Sequence, residues 1–319
     1  MDRTALADSG LQLFSPHPVP APIGERMLRP LPRFRQSHAY SISLDGPNDA
    51  DSLFGPDSQT LQLVQKLDDE LTAMRERPEL VVFPASNLPW APQAPIDART
   101  LRFVRLLASH EIVAGLTCRS ILSDEVIDQL SSVGQWVRIN IPVLSTDVSV
   151  QKALEPHSAL LTDRLQLART LKQRGIQVQV AVEPIIPNLT DSRETLEPLI
   201  EKIAATGIDS ISAGYLYLRP GQKDAVQRVL EPHGWSELVL SAFCESLVIR
   251  EPGEPQLTFL SKSRRQRGYA LLMSIAAEHG LAALLSFTAN PDFQARKAPD
   301  AASSARFQAF IRSLRRRPR

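Results

Sequence analysis

Arginine, asparagine and glutamate recur along this 319-residue chain at the ends of short apolar runs. In α/β proteins the C-terminal strand ends are where groups that act on a ligand collect, because the loops there are free to vary. Arg119 follows the run 111–117, Asn140 sits near the end of 136–141, Glu183 closes 177–183, and Arg219 comes shortly after 210–217. General acid–base chemistry needs a titratable group in such a place, and His38, Asp97 and Glu183 are the candidates, although no spacing links them into a known mechanism. Glu183 and Arg219 point toward the same end of the molecule, where buried opposite charges are expected to pair. Thiol chemistry has little to work with. The chain holds two cysteines, Cys118 and Cys244, and Cys118 has no evident His or Asp partner that would raise its reactivity. Cys118 reads as a small buried filler.

The elements that must carry these residues alternate. Strands are predicted at 38–44, 79–83, 111–117, 136–141, 177–183 and 210–217, each a short apolar run bounded by Pro, Gly or polar residues. Helices are predicted between them at 58–76, 97–109, 123–132, 160–174 and 192–206. The fourth shows the clearest stripe, with Leu161, Leu165, Ala168 and Leu171 on one side and Gly175 as its stop. Thr190, Asp191 and Ser192 offer the N-cap of the fifth. Such β-α alternation forces parallel strands with right-handed crossovers, in a barrel or in a doubly wound sheet. Residues 236–287 add further apolar segments, with a helix starting near Arg267 and ending at His279.

Two loops carry a resemblance. Glu183-Pro184-Ile185-Ile186-Pro187-Asn188-Leu189-Thr190-Asp191 is similar to the "P-x-I-P-G-x-N-D" loop after the fifth strand of the spore-photoproduct-lyase-like branch of the radical S-adenosylmethionine (SAM) enzymes, and Leu218-Arg219 resembles that branch's "Leu-Arg" pair after the sixth. Asn188 stands where the family has glycine, and Thr190 where it has asparagine. The resemblance implies a partial (β/α)6 TIM-like barrel of the radical SAM type with a C-terminal extension. It also implies contacts to SAM: Arg119 in place of the lysine of "T-K-S", with ligand contact and structural role equally open, and Asn140 in place of "S-x-T". Arg164 and Glu155 align with "E-P-R…R-L", where an ion pair holding the loop is the favoured role and a ligand contact for Arg164 the sharper one. Glu183 takes a place that is often apolar in the family, as if to neutralise a pocket. Asn87 and Asp97 could stand in for carboxylates of the "T-D-P-Y-Q-P-x-E" loop, though a proline-stiffened loop with Trp90 over the mouth is the simpler expectation.

The family holds a four-iron, four-sulfur cluster on C-x3-C-x2-C. Laid on 33–44, the three cysteine positions fall on Ser37, Ser41 and Leu44. Serine hydroxyls stay protonated and bind iron poorly, leucine cannot bind it, and two distant cysteines cannot supply three thiolates. An iron–sulfur cluster is therefore not expected, while SAM binding stays open.

Bulk properties set the remaining bounds. A net charge of +1 argues against a nucleic-acid binder with a wholly basic surface, and 43% hydrophobic residues suffice for a sizeable core. No apolar run approaches the roughly 18 residues that would cross a bilayer. No apolar signal core follows the N-terminus, and isolated cysteines suit a reducing compartment, so a cytoplasmic protein is expected, with no membrane partner. Residues 1–32 read as a Pro-rich flexible or extended arm, 33–290 as the barrel with its C-terminal elements, and 291–319 as a basic tail with a short helix. The run 262–267 places Arg264, Arg265 and Arg267 as candidate phosphate contacts. The functional expectation is a cluster-free, non-catalytic binding or scaffolding protein, a pseudoenzyme, for an unidentified protein partner or small molecule. The alternatives are a cluster-independent enzyme that still binds SAM or a nucleotide, and a DNA-associated protein.

Overall fold

The computed structural model describes residues 26–31, 39–42, 56–83, 85, 88–91, 95–249, 256–286 and 289–293. Ser37, His38, Leu44 and Asn87, most of the N-terminal arm and the basic tail lie outside them.

Eight strands form one sheet in the order β1 (Leu28–Pro30), β2 (Ala39–Ile42), β3 (Leu80–Val82), β4 (Val113–Thr117), β5 (Val137–Val143), β6 (Gln177–Ile185), β7 (Ser210–Tyr215) and β10 (Ala282–Leu285). Strands β2 to β7 are the six expected from the alternation, and each pairs parallel with the next. The C-terminal extension supplies β10 as a seventh parallel strand on β7. At the other edge β1 pairs antiparallel with β2, so the last residues of the Pro-rich segment are extended and tied down. Glu70 helps hold them, accepting the Met27 amide at 2.6 Å.

Each crossover carries a helix whose ends are written locally. Helix α1 (Pro56–Ala73) links β2 to β3 and α2 (Ala98–Ser109) links β3 to β4. Asp97 is committed as the N-cap of α2, accepting the Thr100 amide at 2.9 Å. Ser123 caps α3 (Asp124–Ser131) and Asp147 caps α4 (Val148–Leu154), a short helix absent from the sequence expectation. Helix α5 (Leu161–Gln173) buries the stripe read from its sequence. Helix α6 (Arg193–Ala204) starts at Ser192 without a side-chain cap, because Thr190 and Asp191 close the preceding loop instead.

After β7 come α7 (Gln222–Leu230) and α8 (Ser236–Leu240), then a two-stranded ribbon of β8 (Leu247–Ile249) and β9 (Leu257–Phe259). Helix α9 (Lys262–Glu278) begins five residues before the expected Arg267 and leads into β10. Among the described residues no helix is long and apolar enough to cross a membrane.

Candidate ligand site on the polar face of the sheet

Strand alternation divides this sheet into two chemically different faces. On one, Val81 and Ala114 lie opposite each other, as do Leu116 and Ile139, and Val180 and Ile211. These residues are buried and belong to the main core with Leu107, Leu130, Leu171 and Ile203 of the helices. The other face carries Gly115, Arg138 and Gln177 in one register row and Thr117, Asn140 and Gln179 in the next, with Ser210, Ser212 and Glu183 further along. Arg138, Asn140, Gln179, Glu183 and Ser212 are only half-buried. A parallel sheet covered on both sides would be apolar on both. This one keeps a polar, partly open face.

Glu183 lies near the C-terminal end of β6, where that face opens. Its carboxyl is pushed up from 4.5 to about 7, chiefly by burial, against the opposing pull of Ser286, Arg119 and Ser212. Carboxylate oxygen Oε1 has no hydrogen-bond partner. Glycine at 214 makes room for this group, since a Cβ there would lie 3.2 Å from Glu183 Cδ and 2.8 Å from Ala289 Cβ. The cation facing Glu183 is Arg119, on the loop after β4. Burial lowers the Arg119 pKa to about 10, partly offset by Glu155 and Glu183.

Arg119 is tied into a buried cluster. Its Nε lies 3.6 Å from Glu155 Oε1, and its Nη1 reaches the Leu88 carbonyl at 3.4 Å. Glu155 in turn takes a two-point grip from Arg164, whose Nη1 donates to Oε1 at 3.0 Å while Nη2 bonds Oε2. The same Nη1 donates to the Pro142 carbonyl at 2.7 Å. Arg164 and Glu155 are both essentially solvent-free, so the geometry favours the ion pair over a ligand contact for Arg164.

The structure thus brings Arg119, Asn140 and Glu183 to one face and sets Arg164 behind them as support. Arg219 follows β7 and its amide is capped by Gln222 Oε1 at 3.0 Å. Ser41 lies inside β2 and is buried, and residues 43–55, which follow that strand in the sequence, contain no cysteine. Cys118 is buried with Sγ directed at the Ser120 carbonyl, and burial raises its pKa, as a filler requires. Trp90 is a buried core residue beside the Leu88 carbonyl that Arg119 reaches.

The run 262–267 needs a correction. Arg265 is fully buried and gripped at two points by Asp292, with Nη1 at 2.9 Å and Nη2 at 2.7 Å, and its guanidinium packs between the Phe259 and Phe293 rings. It cannot touch a phosphate on the surface. Arg264 bonds Asn188 and lies 3.7 Å from Asp191, which leaves Arg267 as the exposed arginine of the three.

Asn188 explains one departure from the family loop. Its φ is +63°, in the left-handed region that glycine tolerates best and asparagine next best. The exchange therefore keeps the backbone path and adds a side chain that donates to the Leu238 carbonyl at 2.6 Å. Thr190 Oγ1 accepts the Ile186 amide at 2.8 Å, closing the loop from the other end.

Sequence reasoning missed the polar face as a whole, including Arg138 and Ser212. The signal was there in Gln177-Val178-Gln179-Val180 and Ser210-Ile211-Ser212-Ala213, where polar and apolar residues alternate in strands that a fully covered sheet would make uniformly apolar.

No protein-family model matches the chain. It is 24% identical over 159 residues to the uncharacterized protein ORF301 of Acidianus two-tailed virus, a match covering 49% of this chain and 52% of that protein. It is 30% identical over 92 residues to the uncharacterized protein Rv2578c of Mycobacterium tuberculosis (strain ATCC 25618 / H37Rv), covering 28% and 27%. The chain thus spans about half the length, or less, of these curated relatives. Among solved structures, spore photoproduct lyase complexed with dinucleoside spore photoproduct superposes with a TM-score of 0.54 at 11% identity, over 71% of this chain and 67% of that one. The Y-to-F variant of the same enzyme gives 0.54 at 12% identity, over 71% and 66%. At such identity the likeness is one of fold: the chain is a mixed α/β protein with the partial TIM-like barrel of the radical SAM type.

Proposed function

We propose that this chain is a cluster-free barrel of the radical SAM type that binds a small polar ligand on the open face of its sheet and serves as a non-catalytic binding or scaffolding protein, a pseudoenzyme. The observation that carries the reading is the donor set. A four-iron cluster held by three protein ligands needs three thiolates. This chain has two cysteines, one a buried thiol that burial keeps protonated and the other exposed on a turn after α8. The residues present therefore do not fit the cluster. What the face offers instead is a set of polar groups for recognition: Asn140, Gln179, Ser212 and Glu183, with Arg119 acting on Glu183 through its charge.

A second reading is that the barrel still takes SAM, or a nucleotide, without iron. It is favoured by the placing of Arg119 and Asn140 on the face that carries Glu183, where carboxylate and hydroxyl groups of such a ligand would find donors. A DNA-associated role draws support only from Arg267 of its expected arginines, now that Arg265 lies in the core.

The test is iron retention. After anaerobic treatment with iron and sulfide, followed by desalting, the protein should carry substoichiometric iron and no cluster absorbance. A full cluster would overturn the proposal.

A further inference from the structure

Among the described residues several arginines have buried guanidinium atoms, and four of them can be compared directly. Arg164 is paired with Glu155, Arg265 with Asp292, and Arg119 stands against Glu155 and Glu183. Each of these three cations is thus met by a carboxylate, as the cost of removing an unpaired charge from water demands. Arg138 is the exception. Its Nη1 donates to the Val137 carbonyl at 2.8 Å, while Nε and Nη2 are buried with no hydrogen-bond partner. Burial alone lowers its pKa, to about 10, with no counter-charge acting against it.

The surroundings of Arg138 suit an incoming anion. It lies on the polar face, directly across from Gly115 on β4 and Gln177 on β6. One row nearer the mouth are Thr117 and Asn140, whose hydroxyl and amide groups can donate to an oxyanion, beside Gln179, whose Nε2 already donates to the Val180 and Ser210 carbonyls. Gly115 carries no side chain to compete for the guanidinium. No described Asp or Glu occupies either register row.

We propose that Arg138 forms the floor of the ligand site and binds an oxyanion, a carboxylate or a phosphate group of the ligand, with Thr117 and Asn140 as neighbouring donors. This rests on the polar face being a ligand site and is independent of whether a cluster is held. A planar guanidinium whose Nε–Nη2 edge is uncommitted favours two-point recognition of such a group.

The experiment is thermal unfolding of the whole chain with inorganic phosphate and, separately, with malonate, for the wild type and Arg138→Met. Anions such as phosphate also stabilise proteins by exclusion from their surface, so the reading is the difference between the two proteins. Without anion, Arg138→Met should melt at or above the wild-type temperature, because it relieves an unpaired buried charge. With anion, the wild type should gain the larger shift. Gain with phosphate alone assigns a phosphate group, and gain with malonate alone assigns a carboxylate. Arg138→Lys keeps the charge without the fork and should retain part of the shift, which guards against a Met variant that misfolds. Equal anion shifts in the wild type and both variants would overturn the proposal. So would the absence of any shift with either anion in a wild type whose iron and SAM titrations come out as expected, and that result would sink this inference alone.

Discussion

Arg164 and Glu155 form a two-point ion pair with almost no solvent contact on either side chain, nine residues apart across the loop between α4 and α5. The pair anchors this loop to the end of β5 through the Pro142 carbonyl, and gives Arg119 its nearest carboxylate. Arg164 thus acts on the face only through another residue.

Cutting the pair on one side should be costly. Arg164→Met leaves Glu155 buried beside Arg119 alone, and a loss of about 3–5 kcal/mol is expected in urea unfolding. Glu155→Leu should cost a similar amount. The double substitution should recover much of the loss, since both charges go together. A double variant as unstable as the sum of the singles would show that the pair does more than neutralise itself.

Glu183 should make stability depend on pH in a definite direction. Its folded pKa of about 7 lies above the ordinary 4.5, so the folded state holds the proton more tightly than the unfolded chain. The stabilisation is fully present below about pH 4.5 and is lost as the pH rises through about 7, with an upper bound of about 3 kcal/mol. Glu183→Gln, a neutral mimic, should match the wild type at acid pH and exceed it above pH 7. Parallel stability curves for the two proteins across that window would refute this.

Gly268 sits where α9 meets Tyr215. A Cβ at this position would fall 1.7 Å from Tyr215 Oη and 2.6 Å from Cζ, while the ring is held by the Asp191 carboxylate at 3.3 Å and lies edge-on to Tyr269. Gly268→Ala should therefore destabilise by about 1–3 kcal/mol despite alanine's better helix propensity. Adding Tyr215→Phe should recover part of this, because it removes the closest atom and leaves the ring carbons. Calorimetric melting of the two single variants and the double would show it, and an unaffected Gly268→Ala protein would contradict this packing.

Arg265→Met should behave as a core lesion and not as a lost phosphate contact. It strands Asp292 at the edge of the core and removes a bond to the Leu260 carbonyl. A loss of about 3–5 kcal/mol is expected. Arg267→Ala, by contrast, should leave stability unchanged and lower whatever affinity the chain has for duplex DNA at low salt. Fluorescence anisotropy with labelled DNA separates the two, and a folded Arg265→Met protein with weakened DNA binding would contradict the buried assignment.

Much of the architecture was legible because apolar periodicity and the backbone agree. Gln177–Ile185 and Leu161–Gln173 differ from the expected strand and helix by only a residue or two at either end. The Glu155–Arg164 pair was legible too, through the resemblance of Glu155-Pro156 and Arg164-Leu165 to the family's "E-P-R…R-L". The burial of Arg265 was hidden by its company. Read as a charge run, Lys262 to Arg267 looks like a solvated surface; read at helical spacing, Arg265 shares a stripe with Tyr269, Leu272, Ile275 and Ala276, all buried. Strand β10 was obscured by length, since Ala282–Leu285 follows a helix with one glycine between its last turn and the apolar run. Arg138 could not be singled out at all, because the absence of a carboxylate around it depends on which strands become neighbours.

The central claim is that this barrel works without a cluster. It is tested most directly by anaerobic reconstitution with iron and sulfide, followed by visible absorbance and iron content, with a calorimetric SAM titration on the same batch. The account predicts no absorbance band and only trace iron, and SAM heat without iron would select the cluster-independent reading within that account. A stoichiometric cluster would contradict it, and would mean that thiolates from a second chain or other side chains complete a site that two cysteines cannot.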